Sequence, residues 1–122
     1  MGMWETKPPL RPPRPAKYGN RKLEYQGMKF DSRRELDRWI QLVALQKAGQ
    51  ISELERQVVF LLSPPVVIQG RKRPALKYIA DFVYTESDGE TITEDVKGVV
   101  TEGYRIKRHL MAAMGIQIKE VR

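Results

Sequence analysis

The sequence predicts an α/β layer fold with a mixed sheet, and three observations carry that expectation. Apolar residues recur at helical spacing behind a Ser32 cap. Two runs rich in branched and aromatic residues flank a turn at Ser87-Asp88-Gly89. A second helical stretch closes at Gly115 just before a short apolar run. Helix, strands, hairpin, helix, strand is the order of a layered fold, in which each amphipathic helix covers a sheet face.

Each element has a local reason. Residues 23–30 are short and mixed, with Gly27 as a turn. Ser32 caps a helix expected over 32–48, Glu35 follows three residues later as in a capping box, and Leu36, Trp39, Ile40, Val43 and Ala44 form its apolar stripe before Gly49 stops it. Residues 54–62 are branched and apolar and end at Pro64-Pro65, so they read as a strand, with 66–69 extending the sheet at an edge and 71–74 as a basic loop. Residues 76–85 and 91–98 alternate around the turn and predict a β-hairpin. A second helix is expected over 101–114, with Ile106, Leu110, Ala113 and Met114 on its apolar face, followed by a last strand carrying Ile116, Ile118 and Val121.

At 122 residues the chain has room for one core, and no apolar run approaches the roughly 18 residues a membrane span needs. Absence of cysteine excludes a disulfide framework, thiolate zinc and cysteine nucleophiles, and with no secretory signal it points to the cytoplasm. The formal charge of +7 is unevenly spread: residues 1–34 hold nine Lys/Arg against three acids, whereas the remainder holds 13 against 12. Five prolines (Pro8, Pro9, Pro12, Pro13, Pro15) stiffen the basic head. Residues 1–17 are therefore expected to be a flexible arm, either solubilising or following a phosphate backbone, and 18–122 a single domain.

Acidic residues inside strands need an explanation, and Asp81 and Asp95 are two of them. If Glu86 pairs with Glu90 around a three-residue loop, Asp81 lies opposite Asp95 with Cβ atoms about 5 Å apart, and Lys97 shares their face. A two-residue Asp88-Gly89 loop would turn Asp81 to the other side, and the turn sequence does not choose between them. Paired carboxylates form a hard-oxygen site for a divalent cation, beside which a lysine can stabilise charge on phosphorus or position a water. On a helical wheel Glu35 falls about 100° from Leu36, at the margin of the buried face, where it serves either the site or the capping box. Glu94 points the other way and is expected to be structural.

A helix Glu, a strand Asp and a hairpin Asp-x-Lys resemble the PD-(D/E)XK, or restriction-endonuclease-like, nuclease superfamily. Four blocks, Lys17-Tyr18-Gly19-Asn20, Gly27-Met28-Lys29-Phe30-Asp31-Ser32-Arg33-Arg34-Glu35, Tyr78-Ile79-Ala80-Asp81-Phe82 and Glu94-Asp95-Val96-Lys97-Gly98, are similar to a small phage- and prophage-encoded family within it. Ala80 stands where the motif's name has proline, a position at which the superfamily is tolerant. The resemblance implies an αβββαβ core and Mg²⁺-dependent phosphodiester hydrolysis, with Mn²⁺ as a substitute. It makes Asp81 and Asp95 metal ligands, Lys97 the activating lysine, and Glu35 a further ligand or water-orienting group.

The expected activity is thus a DNA endonuclease of phage DNA metabolism, acting in the bacterial host cytoplasm and structure-selective like the junction resolvases that share the fold. The alternatives are a non-catalytic basic nucleic-acid-binding protein and an interaction module that uses the proline-rich arm. Arg33, Arg34, Arg71, Lys72, Arg73, Arg105, Lys107 and Arg108 are the candidate DNA contacts. His109 reads as solvated. Two coordinated cuts would require two sites, which raises a homodimer as a partner state.

Overall fold

Residues 22–122 are described by the computed structural model, so the arm expected over 1–17 and the block at 17–20 lie outside the described residues. The described chain is α/β, with two helices and a mixed four-stranded sheet. A small hairpin of β1 (Leu23–Tyr25) and β2 (Met28–Phe30) leads into α1 (Arg33–Lys47). Strand β3 (Ile51–Ser63) follows, then a second small hairpin of β4 (Val66–Ile68) and β5 (Arg71–Arg73). The remaining elements are β6 (Leu76–Glu86), β7 (Thr91–Val96), α2 (Glu102–Ala113) and β8 (Ile118–Val121). The main sheet runs β3-β6-β7-β8, antiparallel except for the parallel β7–β8 pair.

Local chemistry accounts for the boundaries. Ser32 Oγ accepts the Glu35 N–H and Thr101 Oγ1 accepts the Tyr104 N–H, so each helix starts on a hydroxyl cap. Gln69 and Gly70 both have positive φ, which suits a two-residue turn matched to strand twist. Residues 66–69 therefore do not extend the main sheet, and 71–74 is not a plain loop; the two segments pair with each other. Strand β3 starts three residues before its expected position because Ile51, two residues after the Gly49 stop, is buried against Leu42 of α1.

The core has two halves. Leu42, Ile51, Phe82 and Tyr84, with Trp39 and Leu45, pack on the α1 side. Tyr78, Ala80, Tyr104 and Met111, with Phe60, Val83 and Ile118, pack on the α2 side. Both helices turn a different arc inward from the one their aliphatic stripes predict. On α1, Glu35 is buried alongside Leu36 and Leu42 rather than marginal, while Ile40 is exposed. On α2, Tyr104 and Met111 are buried, and Ile106 and Met114 of the expected apolar face are exposed. An aromatic ring beneath ionic partners outweighs the aliphatic count on that helix.

One irregularity positions the site. Even-numbered Phe82 and Tyr84 pack toward α1, yet even-numbered Ala80 and Tyr78 pack toward α2. Ideal alternation would keep all four on one face. The faces exchange at Asp81 and at Gln57 across from it, whose φ is +54°. The β3–β6 register is the same on both sides of this point, Arg56 opposite Phe82 and Val58 opposite Ala80, so no residue is inserted. The ribbon turns over at Gln57 and Asp81.

Candidate active site

The hairpin register decides what shares a face. Phe82 pairs with Glu94 and Tyr84 with Ile92, Glu86 N–H donates to Glu90 O at 2.8 Å, and Gly89 takes the left-handed position of a three-residue loop. One step further along, Asp81 comes level with Asp95. The ladder stops at Phe82, and the Asp81 carboxylate replaces it: Oδ2 accepts the Val96 N–H at 2.8 Å.

Asp95 is 4% exposed. Its Oδ2 accepts the Tyr78 hydroxyl at 2.7 Å and lies 3.2 Å from Lys97 Nζ. That ammonium also sits 3.9 Å from the centre of the Tyr104 ring, so Lys97 is held by charge on one side and a π face on the other. Tyr104 is anchored in turn by its hydroxyl donating to Glu120 at 2.7 Å. Burial, then the hydrogen bond with and charge of Asp95, then the charge of Glu35, push the Asp81 carboxyl well above the usual carboxylate range, against the Val96 N–H that lowers it. Burial and the bond to Asp95 likewise raise the Tyr78 hydroxyl, which stays a donor at any physiological pH.

Glu35 is turned toward this region from the first turn of α1. Its carboxylate faces Gln57 Nε2 at 3.4 Å and the Arg56 guanidinium at 3.6 Å, and makes no bond to the Ser32 amide. The Ser32 cap is thus one-sided, and the Glu35 carboxylate turns to Arg56, Gln57 and the Asp31 backbone instead. Burial and then the nearby Asp31 charge raise its pKa, while Arg56 opposes them. Among the described residues, Glu35, Asp81 and Asp95 do not close into a three-carboxylate cluster. Glu86, Asp88 and Glu90 do, at the solvent-facing hairpin turn where Asp88 Oδ1 accepts the Glu90 N–H. The carboxyls of Asp81 and Asp95 adjoin each other, and Glu35 approaches Asp81 from α1 closely enough for its charge to be felt there.

Four contributors were not found from the sequence. Arg56 and Gln57 lie within the strand expected over 54–62, where an Arg-Gln pair interrupting the apolar run is a usable signal. Arg56 lies 4.0 Å from the Phe30 ring centre and donates to Lys29 O at 2.7 Å, and its buried Nε has no hydrogen-bond partner among the described residues. Tyr78 and Tyr104 are ordinary strand and helix aromatics until the fold brings them to Asp95 and Lys97.

The basic residues separate into two groups. Arg33 is paired with Asp37, Arg105 with Glu102, and Arg108 with Glu120. Arg34, Arg71, Lys72, Arg73 and Lys107 have no acidic partner among the described residues. Arg34 reaches Gly98, where an added Cβ would lie 3.5 Å from its Nη1, so it flanks the loop that follows Lys97. His109 is exposed. No helix among the described residues is long and apolar enough to cross a membrane.

Comparison with known proteins places the chain in a family without assigning it an activity. A family model described as "Protein of unknown function (DUF1064)" matches residues 15–121, and the chain belongs to that family. No curated protein and no solved structure matches it.

Proposed function

We propose, for a chain whose family membership assigns no activity, that it is a Mg²⁺-dependent endonuclease hydrolysing phosphodiester bonds in DNA on a restriction-endonuclease-like αβββαβ core. The observation that carries this reading is a buried Asp95, held by Lys97, adjoining the partly buried carboxyl of Asp81. With the two small hairpins set aside, the order α1, β3, β6, β7, α2, β8 supports the fold assignment.

The donor set fits a divalent cation. Asp95 has one cationic neighbour, Lys97, and the adjoining Asp81, whose charged form burial and Asp95 oppose, has no ion-pair partner among the described residues. A Mg²⁺ ion held by Asp81 and Asp95 would supply the charge that offsets their repulsion and stabilises negative charge on phosphorus. The chain's own groups do the positioning. Val96 N–H fixes one Asp81 oxygen, and Tyr78 fixes one Asp95 oxygen. Lys97, held over Tyr104, orients an attacking water or meets charge developing on a phosphoryl oxygen. Arg34 and Lys107 are available to phosphates of the substrate backbone.

The Lys97–Asp95 contact also suits a second reading, a non-catalytic nucleic-acid-binding protein whose strand acids merely pair with basic side chains such as Lys97. A cleavage assay with Mg²⁺ or Mn²⁺ on linear, flap and four-way-junction DNA separates the two. The nuclease reading expects cleavage that EDTA abolishes and Asp81→Asn eliminates while DNA binding persists, with branched substrates preferred. Native-rate cleavage by Asp81→Asn, or binding without cleavage of any substrate, overturns it.

A further inference from the structure

We propose that residues 58–62 of β3 form a pairing edge for a second copy of this chain, joining two sheets antiparallel across a two-fold axis. Strand β3 terminates the sheet, and its two halves differ. The first half is guarded: Glu53 and Gln57 have positive φ, Gln46 Oε1 accepts the Leu54 N–H at 2.9 Å, and Arg56 reaches back to Lys29 O. Irregular backbone and charge are the usual means of keeping an edge from pairing.

The second half carries no charge, and its irregularity lies only at its far end. Residues 58–62 read Val-Val-Phe-Leu-Leu, without charge, proline or glycine. Residues 58–61 keep regular register with β6, which shifts between Leu61 and Ser63, while their other edge pairs with no described strand. Val59 and Leu61 are 55% and 58% exposed, and Ile79, opposite Val59, is 50% exposed. An unguarded apolar edge of this length is costly unless something covers it.

A second copy fits by both geometry and charge. Antiparallel pairing of an edge with itself is self-complementary, which is what a two-fold interface requires. Centred on Phe60, such a pairing lays the start of one β3 beside the end of the partner's, from which the β4–β5 hairpin follows. The Glu53 and Glu55 end of one β3 thereby approaches the partner's β4–β5 hairpin, which carries Arg71, Lys72 and Arg73 and in which Val67 pairs with Lys72. Those three cations then meet the other copy's acids rather than DNA. The chain's own leading segment is a poorer occupant, because the five prolines within 8–15 lack the N–H groups a strand must donate. Each pair would carry two copies of the Asp81–Asp95–Lys97 site.

Sedimentation equilibrium and amide exchange on the full chain test this directly. The expected result is twice the chain mass at high concentration, with protection of amides 58–62 that falls on dilution. Val59→Lys and Leu61→Lys, both at exposed positions, weaken self-association by about tenfold or more. Joint Arg71→Glu and Lys72→Glu substitution also weakens it, and adding Glu53→Lys with Glu55→Lys in the same chain restores it. The wild-type exchange result stands even if a variant fails to fold. A monomer at every concentration, protection independent of concentration, or a dimer indifferent to both lysine substitutions overturns the proposal.

Discussion

Glu94 and Asp95 are consecutive on β7, nearly inaccessible, and treated in opposite ways by the surrounding chain. Glu94, on the α1 side, is fully enclosed: Arg38 donates to both of its oxygens at 2.5 and 2.9 Å, and the Tyr84 hydroxyl donates at 2.6 Å. One negative charge meets one positive charge and the hydrogen bonds close, which is what burial of a charge requires. Asp95 faces a second carboxylate, and Lys97 is the one ammonium in contact with it among the described residues. Neighbouring residues thus separate a carboxylate buried to hold the fold from one buried beside a second carboxyl whose ionisation burial and Asp95 oppose. A bound cation would offset the cost of ionising both.

The largest expected effects break this comparison outright. Asp81→Asn and Asp95→Asn should lower Mg²⁺-dependent cleavage by about a thousandfold or more without lowering thermal stability, measured by single-turnover cleavage beside a thermal melt. Arg38→Met should do the reverse to the first order: it strands Glu94 as an uncompensated buried charge and costs about 3–5 kcal/mol in a denaturant titration.

Smaller effects sharpen it. Gln57→Gly should leave stability within about 1 kcal/mol, since glycine accepts the +54° φ without strain. It should still slow cleavage by about tenfold, because Glu35 loses the amide that faces it. Without metal, the raised Asp81 carboxyl keeps its proton in the folded chain over a pH range where the unfolded chain has lost it. The folded state then binds more protons, so stability falls as pH rises from the ordinary carboxylate range through the raised one. Asp81→Asn should flatten that slope in melts recorded across pH. Arg34→Ala should weaken DNA binding modestly and reduce the salt dependence of the logarithm of affinity by about one.

Much of this comparison was legible in the sequence, and the remainder depended on long-range packing. The side of Glu94 and the shared face of Asp95 and Lys97 follow from alternation along one strand. Asp81 was placed only conditionally, because Ser87-Asp88-Gly89 accommodates two loop lengths. The bond from Glu86 N–H to Glu90 O and the left-handed Gly89 select the longer one. Glu35 was read as marginal because the wheel was centred on Leu36, whereas Trp39 and Leu42 draw the buried arc toward it. Gln57, Tyr78 and Tyr104 were beyond reach of local pattern. Their roles arise where the β3–β6 ribbon turns over and where α2 crosses beneath Lys97, and neither event has a signature within a few residues of sequence.

The central claim is that Asp81 and Asp95 together hold a divalent cation, and a Mn²⁺ titration followed by electron paramagnetic resonance tests it most directly. The wild-type chain should bind Mn²⁺ in competition with Mg²⁺. Asp81→Asn should lose that binding, and Asp88→Asn, which disrupts the hairpin-turn acids Glu86, Asp88 and Glu90, should retain it. Equal binding by Asp81→Asn and the wild type, or loss of binding in Asp88→Asn alone, would contradict the account.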